Sequence, residues 1–316
     1  MQKRDSQYPV FCYSRLPDVP LSAHVPPPEG TAMFKAVRLF LMALFITVAL
    51  ATLDARAAAV ITRVSDGHQV GTAQLFPAAA GSDLVMIGEV HDDKRHHDLQ
   101  MAVISALREK KLPLAIGLEM FDPASQQSLD DWSQGKLSEE GMKELYAKNW
   151  SYDWSLYRDI FIFARDNKIP MLALNIPKEI ATKVSRKGCA SLTPEEQKEL
   201  PQGISCDLNN PHTAFLEKSF KHLFQRVTRG RLFVFFCEAQ TIRNSGMAMN
   251  VASYLKKHPG TKVVALTGVW HAVKNAVPEQ LRRYDAKLTS ISIIPAIAEL
   301  NSHNASADVV DYLVSM

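Results

Sequence analysis

Short unbroken apolar runs alternate along this chain with longer stretches whose apolar positions recur at helical spacing. The runs 83–87, 114–118, 170–174, 232–237, 263–266 and 288–294 read as buried strands, rich in Leu, Ile and Val. Between the first two, Asp92 or Asp93 is placed to cap a helix whose apolar positions are Leu99, Val103 and Leu107. Residues 153–166 show a similar face through Leu156, Ile160, Phe161 and Ala164, and 245–257 reads as another crossover helix, stopped by His258-Pro259-Gly260. Strand and helix alternating at this rhythm predict the α/β class, a mostly parallel sheet flanked by helices.

Two stretches depart from the alternation. Residues 122–150 are polar and helical in pattern, and 177–229 carry helical patterns broken by Gly188, Pro194, Pro201 and Pro211. Both leave from strand C-termini, so they predict a smaller helical cap subdomain, built from insertions at about 122–155 and 178–230. The α/β domain is expected over residues 59–300, with a patternless tail over 301–316.

The chemistry sits where the strands end. Two of them close on the same signature, Gly88-Glu89-Val90-His91 and Gly268-Val269-Trp270-His271. A glycine there lets the backbone pass close to a neighbour, and the loops after parallel strands are where such sheets build their sites. With the other strand ends included, Glu89, His91, Glu119, Asn175, Glu238 and His271 are expected along one edge. Such a set can bind a divalent metal such as zinc or manganese through His91, His271, Glu89, Glu119 and Glu238. Alternatively, Glu89, His91, Glu119 and His271 work as metal-free acid–base groups on a bound water. His96 and His97 follow on the first helix, where His96 either turns toward the sheet edge or forms a surface pair with His97. The aromatic cluster 150–157 either packs a core helix or lines a slot for a planar ligand, with Tyr157 or Tyr152 as an oxygen donor to iron. Arg243 can pair with Glu238 or with an anionic ligand group. Met247 and Met249 read as packing residues.

The 316 residues are 47% hydrophobic and 22% charged, a globular composition. The net charge is +3; residues 1–57 hold six basic and four acidic side chains, which leaves 30 against 29, or +1, for the remainder. A near-neutral body without a long basic run argues against a nucleic-acid partner. From Met33 the chain reads as a secretory signal: Lys35 and Arg38, then 15 uncharged residues over 39–53, then small residues around Ala57. A spanning helix needs about 20 residues. Residues 33–58 are therefore expected to be a signal peptide, the alternative being an uncleaved anchor that holds the protein at a membrane, and 1–32 an unpatterned extension upstream of it. Export places the protein in the periplasm or cell envelope, where Cys189 and Cys206 can pair, closing a loop worth roughly 3 kcal/mol. Cys237 reads as a buried small hydrophobe.

Taken in order, several stretches resemble the ChaN-like haem-binding family of the Tiki superfamily. They are Ile87-Gly88-Glu89-Val90-His91-Asp92 with His96, His97 and Gln100; Gly117-Leu118-Glu119-Met120-Phe121; Ala173-Leu174-Asn175-Ile176-Pro177; Glu238-Ala239-Gln240 with Met247-Ala248; and Gly268-Val269-Trp270-His271. The resemblance implies an exported haem-binding protein in iron uptake, with haem held between the subunits of a homodimer and a tyrosine on the iron. In this chain that role is expected of Tyr157, with His96 and Arg243 at the cofactor. Many members are lipoproteins, and no lipid-accepting cysteine stands at the cleavage region of this chain. The wider superfamily includes metal-dependent proteases and resembles erythromycin esterases, whose site residues match Glu89, His91, Glu119 and His271. A metal-dependent hydrolase of peptide or ester bonds is thus the second expectation.

Overall fold

A computed structural model describes residues 59–200, 204, 208–223 and 231–316. Its frame is an eight-stranded sheet: β1 Val60–Arg63, β2 His68–Val70, β3 Leu84–Glu89, β4 Leu114–Leu118, β5 Met171–Ala173, β6 Lys262–Gly268, β7 Ser290–Pro295 and β8 Tyr312–Ser315. The spatial order is β2-β1-β8-β7-β3-β6-β4-β5. From β8 to β5 every pairing is parallel, and only the β1–β2 and β1–β8 pairings are antiparallel. The fold is therefore α/β with a mostly parallel sheet, as the alternation predicts.

Both faces of the sheet are covered, which is why its strands read as continuous apolar runs. On β3, Val85 and Ile87 point into one core with Val103, Leu107, Trp132 and Phe161. Leu84 and Met86 point into the other, with Met247, Val251, Leu255 and Leu281. Asp93 caps the helix Lys94–Glu109 by accepting from Arg95 N, and Asp153 caps Trp154–Asp166 by accepting from Ser155 N. The helices Gln126–Ser133 and Glu139–Asn149 place Leu129, Trp132, Met142 and Tyr146 in the first core. A third, smaller core of Ile176, Ile180, Val184, Leu200, Ala239 and Ile242 joins the helix Lys178–Lys187 to the long helix Arg231–Lys257. That is the cap.

Three expectations change. Residues 232–237 are not a strand; they open the 27-residue helix Arg231–Lys257. A six-residue apolar run cannot by length alone be told from buried helix. Its burial is one-sided: Cys237 is buried, whereas Leu232 is 60% exposed. The stretch after residue 300 is not a loose tail, because β8 lies between β1 and β7 with Tyr312, Leu313 and Val314 buried. The two antiparallel strands β1 and β2 escape sequence reading because they are three or four residues long and partly polar. Cys237 is a free, buried thiol. Cys189 is disulfide-bonded; its expected partner Cys206, like Cys12 and the expected signal segment, lies outside the described residues.

Gly246 lets the long helix approach the end of β5, since a Cβ there would collide with Ile176 Cγ2. Gly246→Ala gains about 1 kcal/mol of helix propensity but overpacks at a cost of about 1–3 kcal/mol. A net loss on the order of 1 kcal/mol in chemical denaturation is expected, although alanine is the better helix former.

Candidate functional site

Parallel register brings the two glycine–histidine signatures face to face. Glu89 at the end of β3 is paired with Gly268 at the end of β6, and Leu118 of β4 flanks β6 on its other side. The glycines are required by close approach. A Cβ on Gly88 would stand 3.3 Å from Ala272 Cβ, and one on Gly268 would stand 3.0 Å from the His91 ring. Small residues there let the short helix Val269–Ala272 fold back over β3 and let His91 lie across β6.

Glu89 is buried and fully engaged. Its Oε1 accepts from His91 Nδ1 at 2.8 Å and from the Tyr157 hydroxyl, and its Oε2 accepts from Gln100 Nε2 at 2.5 Å. The carboxylate fixes the Gln100 amide, so Gln100 Oε1 faces His97 Nδ1 at 3.0 Å. His97 Nε2 meets the His91 carbonyl at 3.2 Å. Both His97 nitrogens face acceptors, with Nδ1 also 3.4 Å from Glu89, an environment that favours the protonated ring. Burial pulls the His97 pKa down, but the bonds to Glu89 and Gln100 and the Glu89 charge outweigh it, and the net shift is upward. Burial likewise pushes Glu89 up, while the two histidines bring its carboxyl well below the usual range.

The second carboxylate, Glu119, follows β4. Its Oε1 takes Arg243 Nη2 at 2.6 Å, its Oε2 takes the Gly268 amide at 2.6 Å, and His271 Nε2 lies 3.5 Å from Oε1. Desolvation raises its pKa, but His271 and Arg243 more than compensate and hold it at about 2. Arg243 also donates to Asn175 Oδ1 at 3.2 Å. Asn175 Nδ2 donates in turn to the Glu119 carbonyl at 2.8 Å. Burial drives His271 down to about 3, so it is neutral. His91 goes the other way: burial lowers its pKa, and the Glu89 bond with the charges of Glu119 and Glu89 raises it further than burial lowers it. The two histidines of the signatures are thus shifted in opposite directions, His91 upward beside Glu89 and His271 downward by burial.

These groups floor a cleft of about 1020 Å³ whose walls include the half-buried aromatics Trp150, Tyr152 and Trp270. Trp150 and Tyr152 pack on the His91 ring, each with its centroid 4.9 Å away.

The expected residues sort as follows. Glu89, His91, Glu119 and His271 come together, and Arg243 joins them by pairing with Glu119 rather than with Glu238. Glu238 does not join. It lies on a helix and not at a strand end, and its carboxylate accepts from Cys189 N at 2.8 Å. Among the described residues no group of three or more His, Cys, Asp or Glu side chains is arranged to hold a metal ion. Both oxygens of Glu89 and of Glu119 already accept hydrogen bonds from protein donors. Tyr157 is fully buried with its hydroxyl on Glu89, and burial beside that charge drives its phenol strongly upward, so it is not placed as an oxygen ligand in the cleft. His96 is buried and lines the cleft, yet its Nδ1 accepts from Val90 N at 2.9 Å and braces the loop. His97 is equally buried, so the two are not a surface pair.

Sequence reading passed over His212 and Asn244. Gln240, Arg243, Asn244 and Met247 recur on one helical face, a signal hidden when 232–237 is read as a strand.

Residues 75–281 match the family described as haem-binding uptake, Tiki superfamily, ChaN. The chain belongs to this family. The fold is similar to that of a solved structure showing cofacial haem binding to ChaN of Campylobacter jejuni, at a TM-score of 0.65 and 17% identity, over 82% of this chain and 97% of that one. An erythromycin esterase structure overlaps more loosely, with a TM-score of 0.44 at 12% identity over 74% of this chain and 76% of that one. Among curated proteins, the chloroplastic Protein RETICULATA-RELATED 5 of Arabidopsis thaliana is 22% identical over 236 residues, which is 67% of this chain. The chain spans 31% of the length of that relative.

Acid should weaken the fold through the buried neutral histidines. Burial lowers His212 from 6.5 to about 4. A depressed histidine contributes stability that is present above its unfolded pKa and is lost as pH falls toward the folded value. Melting followed between pH 6.5 and 4.5 should show wild type losing on the order of 2–3 kcal/mol more than His212→Gln.

Proposed function

We propose that this protein binds haem in the cleft at the C-terminal ends of β3 and β6, with His91 Nε2 as the nitrogen presented to the iron. The observation that carries this reading is the 2.8 Å bond from His91 Nδ1 to the buried Glu89 carboxylate. Histidines that bind a metal regularly donate their other N–H to such a partner, which fixes the tautomer and raises the basicity of the ligating nitrogen. The residues present fit the group. A volume of about 1020 Å³ is at the upper end of ligand pockets, and Trp150, Tyr152 and Trp270 offer flat apolar surface to a macrocycle. Lys94 and Arg95 lie at the cleft and are ion-paired with carboxylates that are themselves part-exposed, so they can exchange those partners for propionates. Bound haem would contribute its iron; the chain contributes the ligand, its orientation by Glu89 and the exclusion of water by the aromatic walls.

The same reading places the protein outside the cytoplasm, in haem and iron uptake at the cell envelope. The charged-then-apolar segment 35–53 and the disulfide at Cys189 support export. Among the described residues no helix is long and apolar enough to cross a membrane. An uncleaved leader would attach the protein to a membrane through segment 35–53. A homodimer closing over haem is the assembly we propose, in keeping with the cofacial haem binding of the Campylobacter protein.

Titration of the full chain with haem should give a saturable Soret shift near one haem per chain. His91→Ala should weaken it by about tenfold or more and Glu89→Gln by about 10–100-fold, whereas Tyr157→Phe should keep the band position. A saturable shift unchanged in His91→Ala would remove His91 from the iron, and no saturable shift at all would end the haem reading.

A further inference from the structure

Behind the cleft floor runs a chain of hydrogen bonds whose polarity is set at one end. His212 Nε2 lies 2.7 Å from the Trp270 carbonyl, His212 Nδ1 lies 3.2 Å from Asn244 Nδ2, and Asn244 Oδ1 lies 2.5 Å from His271 Nδ1. His212, Asn244 and His271 are each 2% exposed, so water cannot substitute for a missing partner. A backbone carbonyl only accepts, so His212 Nε2 must carry the hydrogen. A neutral His212 then leaves Nδ1 as an acceptor, which obliges Asn244 to turn its NH₂ that way. The amide oxygen is left facing His271, and His271 Nδ1 must donate to it. Every step follows from the preceding one.

We propose that His212 and Asn244 are positioning residues that lock His271 in its Nδ1–H tautomer and so present a bare Nε2 lone pair at the cleft floor. The consequence lies in what stands next to it. Glu119 Oε1 is 3.5 Å from that nitrogen and is itself an acceptor, engaged on its other side by Arg243 and with a lone pair to spare. Two acceptors side by side repel an anion and select a group that brings hydrogen, such as water, a hydroxyl or an amine. The lock reverses the simplest local preference, in which His271 would put its hydrogen on Nε2 and donate to Glu119. The proposal does not depend on haem, since Trp270 enters the chain of bonds only through its backbone carbonyl and His91, the residue assigned to the iron, takes no part in it.

The test reads the tautomer directly. The haem-free full chain, labelled with ¹⁵N-histidine, gives two-bond ¹H–¹⁵N correlations, and the spectrum of His271→Gln identifies the His271 signals. Wild type should show a protonated Nδ1 and an unprotonated Nε2. Asn244→Leu removes the acceptor and should move most of the population to the Nε2–H form, while Asn244→Asp, which still accepts from Nδ1, should restore the wild-type pattern at His271. His212→Phe leaves Asn244 in place but frees its amide to turn, and a mixture of tautomers is expected. A protonated Nε2 in wild type overturns the proposal, as does an unchanged tautomer in either Asn244→Leu or His212→Phe. Should a variant fail to fold, the wild-type spectrum still decides. Because no haem is present, the outcome is independent of the Soret titration.

Discussion

Two carboxylates that water does not reach set the terms for the rest of the molecule. Glu89 and Glu119 are each 3% exposed and stand at the ends of β3 and β4, the two parallel strands that flank β6. An unpaired buried charge costs several kcal/mol, so the surrounding structure must supply donors. It does so from elements far apart in sequence: Gln100 and His97 from the first crossover helix, Tyr157 from the helix after the aromatic cluster, Arg243 from the long helix, and an amide from β6. Each of those elements is thereby held in register with the sheet edge. The polar centre specifies the arrangement of the helices as much as the apolar cores do.

Much of the frame was legible because buried parallel strands are continuously apolar and end abruptly. Glu89, His91, Glu119 and His271 could be assembled on paper because each closely follows such a run. The same rule misled at Cys237, where an apolar run is one face of a helix, and Glu238 was carried into the site with it. Tyr157 shows a different limit. Its spacing on an amphipathic helix is compatible with core or ligand, and only its hydrogen bond to Glu89 separates the two. His212 gives no sequence signal beyond the proline before it, because its importance rests on a backbone carbonyl 58 residues away.

Family and site agree at different depths. Membership in a haem-binding family is shown by most of the chain, and the cleft has the size, the flat walls and the carboxylate-backed histidine that such a ligand needs. The polar floor is more elaborate than a haem pocket alone requires. It holds two buried carboxylates, each tied to donors from several elements, and two histidines whose pKa values are shifted in opposite directions.

The insertion of β8 between β1 and β7 has a temporal side. Among the described residues the hairpin β1–β2 bonds to the rest of the sheet only through β8, in the antiparallel register Ile61 to Val314. Residues 60–70 are made early, yet they have no place in the sheet until residues 312–315 exist. Closure of this edge therefore comes late in synthesis, with one of the longest sequence separations in the chain. A newly made molecule must keep the free edge of β1 away from neighbouring chains for almost the whole time it is being built.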